Sequence, residues 1–420
     1  MRSPQRVSAA RLCALNAGIQ FVWGAVLAVS LQARAIALGG RSAIAAYATV
    51  AALGALVATV VQLASGVWSD RLRARGASRV PFYATGVALA LPALAWFYLA
   101  PDYPQLVAAF LTLQLAMNVC SGPYQAVIPD YVPPERRGRA SAWMSGYQSI
   151  GNALGLVVGG FVRDGRAVAG ALGAGLLATF AVTVFAVRAA PRATVVPQAR
   201  HSLGTGARLG GSLGTLLISR GLVNVGFFTL LGFLLFFVRD ALGVRGAALE
   251  TQTALVFLTF TLAAVGGAVA SAGATDRYDR WAVVSIAVGI IAVALALLAT
   301  AHTLPVAYLA AAVAGAAWGA FVTADWALAT ALLPPGTMAT AMGVWNVATT
   351  IPQTIAPLVA GALVARVNLS HPGAGVRAAI VLALAEFLAG GAIVWRLPRG
   401  ARVEQSDDAA SDRIGSTRLT

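Results

Sequence analysis

The 420-residue sequence contains no lysine, and charged residues of either sign make up only 11% of it. Soluble proteins carry about 25% charged residues, so this scarcity argues against a water-soluble domain. A hydrophobic fraction of 59% and a mean hydropathy of +0.77 argue the same. The net charge of +15 comes from arginine alone. We interpret this excess as a compositional bias and expect no nucleic-acid partner.

Residues that ligate metals or bind nucleotides are also scarce. Cys13 and Cys120 both fall in long apolar stretches, so the sequence predicts no disulfide framework. The three histidines, His201, His302 and His371, fall in or beside predicted loops, and no phosphate-binding loop or metal-spaced cluster accompanies them. We therefore predict that the protein is not an enzyme and needs no cofactor.

Long apolar runs dominate the sequence and predict membrane spans. A hydrocarbon core about 30 Å thick is crossed by roughly 20 apolar residues of helix. The runs here are unbroken and do not alternate as barrel strands do, so we expect helices. Twelve are predicted: 12–33, 43–65, 80–100, 104–128, 140–162, 167–188, 216–238, 250–271, 281–300, 304–332, 339–364 and 376–396.

The second half of the chain repeats the first in the same direction. The two prolines at 133–134 return 201 residues later, and the glycine at 160 returns with the same shift. Two further motifs return with shifts of 206 and 208 residues. The matched pairs are Pro133-Pro134 with Pro334-Pro335, Gly160 with Gly361, Ser69-Asp70-Arg71 with Thr275-Asp276-Arg277, and Asn16-Ala-Gly18 with Asn224-Val-Gly226.

The repeat and the arginine distribution predict domains and topology. We expect a six-helix bundle over 1–188, a cytoplasmic linker over 189–215, a second bundle over 216–396 and a disordered tail over 397–420. With the N-terminus inside, 22 arginines fall on the cytoplasmic side and eight outside. The positive-inside rule then predicts that both termini lie in the cytoplasm. We expect the chain to span the cytoplasmic (inner) membrane several times.

Two parallel six-helix halves resemble the architecture of the major facilitator superfamily, in which substrate binds between the halves near the bilayer midplane. The resemblance implies an all-α membrane protein of twelve transmembrane helices. It also implies a monomeric secondary transporter, with a small-molecule substrate and the lipid bilayer as its partners. The alternative is a duplicated membrane scaffold that does not transport.

Three motifs in the first half resemble the sucrose–proton and glycoside symporter branch of that superfamily. They are the helix start Asn16–Trp23, the segment Gly66-Val-Trp-Ser-Asp70-Arg71 followed by Arg75, Arg79, Pro81 and Phe82, and the segment Asn118–Pro123. The resemblance implies sugar or glycoside uptake with protons. Two positions depart from it: Gln114 stands where that branch carries a coupling aspartate, and Gln125 stands where it carries an arginine.

Charges next to and within the spans supply the candidate gating and coupling residues. The resemblance implies a gating role for the 66–79 segment and its repeat, against the alternative of a solvated turn. The gating candidates are Gly66, Asp70, Arg71, Arg75, Asp276 and Arg277. A carboxylate inside the bilayer is costly and exchanges protons near neutral pH, so Asp325 is the preferred coupling residue and Glu386 the second. Their alternative is a structural ion pair or hydrogen bond.

Amide and aromatic side chains at mid-span positions are candidates for binding a sugar. Helices one, four, seven and ten face the cavity in this architecture, which favours residues on them. The candidates are Asn16, Gln20, Trp23, Gln114, Asn118, Gln125, Asn224, Phe228 and Trp326, with Asn346 and Gln353 on helix eleven. The alternative for each is a hydrogen bond between helices.

Glycines at 151, 155 and 159 recur every fourth residue and predict a close helix contact. Proton-antiporting drug exporters carry a Gly-Pro-x-x-Gly-Gly signature here, whereas this segment reads Gly155-Leu-Val-Val-Gly159-Gly160. The missing proline favours uptake. Efflux of drugs or metabolites by proton antiport is the second hypothesis, and a sensor that does not transport is the third.

Overall fold

The computed structural model describes residues 8–133, 136–190, 212–277, 280–332 and 338–395, excluding the side chains of 41, 212, 213, 272–277, 280, 326–332, 338–347 and 350. Twelve long helices lie within these ranges. They are α1 (Ala9–Leu38), α2 (Ala43–Ala74), α3 (Val80–Leu99), α4 (Tyr103–Tyr124), α5 (Arg137–Phe161), α6 (Gly165–Ala189), α7 (Ser212–Asp240), α8 (Ala248–Arg277), α9 (Arg280–Thr300), α10 (Leu304–Leu332), α11 (Met338–Ser370) and α12 (Gly375–Val394).

The surface of the helices fits a membrane. Ten helices, all but α5 and α11, contain stretches long and apolar enough to cross a bilayer. Large apolar side chains such as Phe185, 70% exposed, and Val269, 73% exposed, lie on the outside. A water-soluble protein rarely exposes such surface, whereas lipid tails solvate it without cost. The prediction of a helical integral membrane protein is confirmed.

Helix packing repeats between the two halves. In the first half α1 packs against α5 and α6, α4 packs against α2 and α3, and α3 packs against α6. In the second half α7 packs against α11 and α12, α10 packs against α8 and α9, and α9 packs against α12. Every pair recurs with the helix number raised by six, so the sequence repeat is also a repeat of packing.

Small residues allow the closest of these contacts. A Cβ added to Gly151 would lie 2.3 Å from the Ala17 carbonyl oxygen, and one added to Gly155 would lie 2.3 Å from that of Phe21. Both positions lie between α1 and α5, where the four-residue spacing predicted a close contact, and the prediction is confirmed. The glycines bring the helix backbones together and thereby increase dispersion contacts, which drive helix association in lipid.

The two halves meet mainly through α2 with α11 and α5 with α8. The repeated glycines lie at these two contacts. A Cβ on Gly160 would lie 2.2 Å from Cβ of Ala254, and one on Gly361 would lie 2.5 Å from Cβ of Ala48. The 201-residue register read from the sequence therefore relates the two symmetric contacts between the halves.

We call the face at which α1 begins the proximal face, and the opposite face, at which α1 ends, the distal face.

Two predicted boundaries need correction. The segment predicted as a loop over 66–79 is helical through Ala74, so only 75–79 connects α2 to α3. The fourth span ends at Tyr124, and a short helix, Val127–Tyr131, follows it at the proximal face. Most of the predicted linker and tail lies outside the described residues.

Candidate functional site

A cavity lies between the two halves, about halfway along the helices. The space between its lining residues amounts to about 430 Å³ when the part open to solvent is included. Five helices contribute to its wall, which is largely apolar but includes three polar side chains. The lining residues are Leu27 and Leu31 of α1, Tyr47, Ala51 and Ala55 of α2, Gln114 of α4, Phe228, Leu231 and Gly232 of α7, and Gln353 and Pro357 of α11.

Three of the predicted binding candidates, Gln114, Phe228 and Gln353, line this cavity. Helices two and eleven also line it, so the expectation that helices one, four, seven and ten would dominate was too narrow. The polar lining residue that was not predicted is Tyr47 of α2. Its sequence context offered no signal, because Tyr47 sits in an apolar run like many packed tyrosines.

Asn118 fixes the amide of Gln114. Its side-chain nitrogen donates to the Gln114 side-chain oxygen at 3.2 Å and to the Gln114 backbone oxygen at 2.8 Å. Gln114 is only 3% exposed, and its amide nitrogen has no hydrogen-bond acceptor among the described residues. Asn118 lies one turn further along α4 and outside the cavity lining. It therefore contacts the predicted site through Gln114.

Asn16 and Asn224 bond between helices. The side-chain nitrogen of Asn16 donates to the Met144 carbonyl of α5 at 2.9 Å. That of Asn224 donates to the Ala348 carbonyl of α11 at 3.2 Å. Neither residue lines the cavity. The two asparagines occupy paired positions of the repeat and make equivalent bonds in the two halves. Each therefore forms a hydrogen bond between helices, which is the alternative to substrate binding.

The remaining binding candidates lie at different depths along their helices. Gln20 and Trp23 are partly exposed and share a face of α1 with Leu27, so they extend that face from the cavity toward the proximal side. Gln125 follows the last residue of α4 and is exposed, which corrects its predicted mid-span depth. The side chain of Trp326, like that of Asn346, lies outside the described residues.

On the distal side of the cavity the halves are in contact through aromatic rings and a buried amide. The Tyr47 ring lies 5.7 Å from that of Phe233 and 5.5 Å from that of Phe236, centroid to centroid. Gln32, fully buried, donates to the Leu231 carbonyl at 3.0 Å and accepts from the Leu235 amide at 3.0 Å. The cavity is therefore covered on its distal side.

A charged contact lies at the distal face itself. The guanidinium of Arg163 pairs with the Glu250 carboxylate, with Nη1 2.7 Å from Oε2, and also bonds to Ala247 and Thr251 at the start of α8. The Thr251 hydroxyl in turn donates to the Gly160 carbonyl at 2.8 Å. The two partners are 87 residues apart, so the sequence alone carries no indication of this pair.

The two span carboxylates have different surroundings. Asp325 of α10 is buried and forms an ion pair with Arg220 of α7. Glu386 of α12 accepts a hydrogen bond from the Thr229 hydroxyl at 3.1 Å. Neither carboxylate lines the cavity, and both contact α7, which does.

At the proximal face an arginine links two carboxylates. Arg79 Nε lies 2.8 Å from Asp130, its Nη1 lies 2.6 Å from Asp70, and Nη1 also donates to the Ser69 hydroxyl at 2.5 Å. Burial lowers the pKa of Arg79, but the hydrogen bonds and charges of Asp130 and Asp70 raise it above its ordinary value. The guanidinium therefore remains charged and ties α2 and α3 to the short helix after α4.

The predicted gating set overlaps this network only at Asp70. Arg71 and Arg75 are exposed, whereas Arg73 is buried with Nε 3.5 Å from Asp130. At Gly66 an added Cβ would meet nothing within 4 Å, so no close contact there requires glycine. Arg79 belongs to a motif described above, whereas Asp130 does not, and only the fold shows that they meet. The side chains of Asp276 and Arg277 lie outside the described residues.

Comparison with known proteins identifies the family to which this fold belongs. The Major Facilitator Superfamily model matches residues 12–357. The sucrose transport proteins SUT4 of rice (Oryza sativa subsp. indica) and SUC3 of Arabidopsis thaliana are each 27% identical over 169 residues. These matches cover 35% of this chain and 28% of each relative, so the chain matches less than a third of their length.

Solved structures share the whole fold. A bacterial homolog of the human lysosomal transporter Spinster, in an inward-facing and occupied conformation, superposes with a TM-score of 0.76 at 15% identity, over 96% of this chain and all of the other. A D-xylose–proton symporter gives 0.71 at 16% identity, over 94% and 98% of the two chains. The nucleoside transporter NupG gives 0.70 at 14% identity, over 92% and 99%. The chain belongs to the Major Facilitator Superfamily, a family of transporters rather than enzymes, and its twelve long helices form two six-helix halves.

Proposed function

We propose that this protein is a secondary active transporter that moves a small polar organic solute, a sugar or glycoside, across the cytoplasmic membrane by alternating access. The observation that carries the proposal is the central cavity, which lies between the halves and is covered on the distal side by Tyr47, Phe233 and Phe236. A solute bound there would leave toward the distal face only after these contacts open.

The proximal face is assigned to the cytoplasm. Basic residues gather there, among them Arg71, Arg73, Arg75 and Arg79, as the positive-inside rule requires. In this orientation the distal closure corresponds to an inward-facing state. Asp70 and its partners Arg79 and Asp130 then hold α2, α3 and the end of α4 together on the cytoplasmic side. This supports a gating role for Asp70, with Arg79 and Asp130 taking the place of Arg71 and Arg75.

Proton coupling is assigned to the second half of the chain. The cavity contains Gln114 at the position of the coupling aspartate in the sucrose symporter branch, and an amide does not titrate. Asp325 is the proposed coupling carboxylate and Arg220 its counter-ion, because protonation of Asp325 would break a buried ion pair between α10 and α7. Glu386 is the second candidate, because Thr229 is the hydrogen-bond donor to it and no cation pairs with it among the described residues.

The test is uptake into proteoliposomes. Purified protein is reconstituted, a pH gradient is imposed, and accumulation of a labelled disaccharide and a labelled aryl glucoside is compared between wild type and Asp325→Asn. We expect gradient-driven accumulation by wild type only, while the variant retains exchange of the solute between the two sides. Equal accumulation by both proteins would exclude Asp325 from coupling, and no flux of either solute would exclude the sugar or glycoside assignment.

Efflux by proton antiport is the alternative, and the largely apolar cavity wall gives it some support. The two functions differ in the direction of solute movement relative to protons. In the same proteoliposomes, accumulation of solute on the side to which protons flow supports uptake. Movement of solute against the proton flux supports efflux.

A further inference from the structure

The cavity contains no charged lining residue among those described, and this limits what it can bind. Its three polar side chains, Tyr47, Gln114 and Gln353, come from α2, α4 and α11. None of the three bonds through its hydroxyl or its amide nitrogen to another described residue, and Tyr47 and Gln114 are almost fully buried. Their free polar atoms remain accessible from the cavity, where a solute or water can bond to them.

Gln114 presents a defined polarity to the cavity. Its oxygen already accepts from Asn118, which is itself held by the backbone of α4 and by the Ser121 hydroxyl at 3.5 Å. The free hydrogen-bonding atom is therefore the amide nitrogen, a donor. A donor recognises the hydroxyl, ether or carbonyl oxygen of a solute.

The rest of the wall is apolar and includes an aromatic ring. Phe228, Leu231 and Pro357 come from the second half, and Leu27 and Leu31 face them from the first. Apolar groups of this kind stabilise the flat face of a sugar ring or an aromatic substituent, but not an ionised group. An unpaired charge buried there would lose its hydration without gaining a partner.

We infer that the site selects an uncharged amphipathic solute, of the aryl or alkyl glycoside class, and that Gln114 determines specificity as a hydrogen-bond donor positioned by Asn118. The inference rests on the proposed transport function and names its substrate class. It distinguishes a glycoside from its glucuronide, which differs only by a carboxylate, and from a free hexose, which lacks the apolar substituent.

The test measures binding apart from transport. Thermal unfolding of the purified protein in detergent is followed with increasing phenyl β-glucoside, phenyl β-glucuronide or glucose. We expect the glucoside to raise the unfolding temperature at the lowest concentration, and the glucuronide to have at least a tenfold weaker effect. Equal affinity for the glucuronide, or no binding of any of the three, would overturn the inference. If the three compounds bind equally but the protein still transports a labelled glycoside, the substrate inference fails and the transport proposal stands.

Variants test the two amides. Gln114→Met keeps the side-chain length but removes the donor, so affinity for the glucoside should fall about tenfold. A deoxy glucoside that lacks the bonded hydroxyl should bind wild type and Gln114→Met with equal affinity. A merely structural effect of the substitution would weaken the binding of both glucosides. Asn118→Ala releases the Gln114 amide and should reduce discrimination between the glucoside and its deoxy analogue. Gln105→Met, the same substitution at the exposed start of the same helix, is the control. Discrimination unchanged in both amide variants would refute the assigned roles.

Discussion

Arg163, two residues after α5, pairs with Glu250 in the first turn of α8, with Nη1 and Oε2 2.7 Å apart. The contact joins the two halves at the distal face. Glu250 also lies at a helix N-terminus, where a carboxylate is favoured. If transport proceeds by alternating access, this pair must break each time the distal face opens. We therefore predict that Arg163→Glu, which places like charges opposite each other, shifts the protein toward the outward-open state.

The shift is measurable by cysteine labelling. Both native cysteines are buried, so Gln353→Cys in the cavity provides a site with little background. A membrane-impermeant maleimide added from the distal side should label this cysteine several-fold faster in Arg163→Glu. Adding Glu250→Arg restores opposite charges and should slow labelling again, although the bonds of Arg163 to Ala247 and Thr251 are not rebuilt. Identical labelling rates in all three proteins would show that the pair does not control the distal face.

The proximal network predicts unequal effects for its two carboxylates. Asp70 is 66% exposed, whereas Asp130 is 15% exposed and contacts both Arg79 and Arg73. Exposed pairs contribute about 0.5 kcal/mol, and a buried arginine left without its partner costs considerably more. Asp130→Asn should therefore lower the unfolding temperature clearly, and Asp70→Asn should barely change it. Asp70→Asn should nevertheless slow transport if Asp70 has a gating role. Wild-type uptake kinetics in Asp70→Asn would contradict that role.

The pair of Arg220 and Asp325 predicts a strong dependence on both partners. Removing one member of a buried pair leaves an uncompensated charge and typically costs about 3–5 kcal/mol, while removing both costs much less. Arg220→Met and Asp325→Leu should each lower the unfolding temperature in detergent, and the double variant should recover most of the loss. The double variant should still fail to accumulate solute under a pH gradient. Gradient-driven accumulation by a stable double variant would show that the pair has only a structural role.

The sequence predicted the fold more completely than the site. Apolar run length and residue size are local properties of a sequence. They are enough to predict the number of helices, the repeat register and the close contact at Gly151 and Gly155. The meeting of Arg79 with Asp130, 51 residues apart, and of Arg220 with Asp325, 105 residues apart, depends on how helices pack. Motif spacing carries no information on such distant pairs.

The amides show the same limit. Gln114 and Asn118 were equal candidates in the sequence, since both lie at mid-span on α4. The structure separates them, because only Gln114 lines the cavity while Asn118 bonds to it. Asn118 lies one helical turn away, where the Ser65 hydroxyl of α2 donates to its backbone carbonyl at 3.1 Å. The sequence carries no sign of this contact, because the two residues are 53 positions apart.

The contact between α1 and α5 predicts that one methyl group is enough to disturb the first half. In Gly151→Ala the new Cβ would lie 2.3 Å from the Ala17 carbonyl oxygen, a backbone atom that cannot rotate away. The helices must separate, and overpacking of this kind typically costs about 1–3 kcal/mol. Gly170→Ala on α6 is the matched control, because nothing lies within 4 Å of its added Cβ. The same substitution there should leave stability unchanged or raise it by about 0.4–1 kcal/mol, since alanine restricts the unfolded chain. Thermal unfolding of both variants in detergent should therefore show opposite or clearly unequal shifts, and equal shifts would mean that α1 and α5 are not in backbone contact at Gly151.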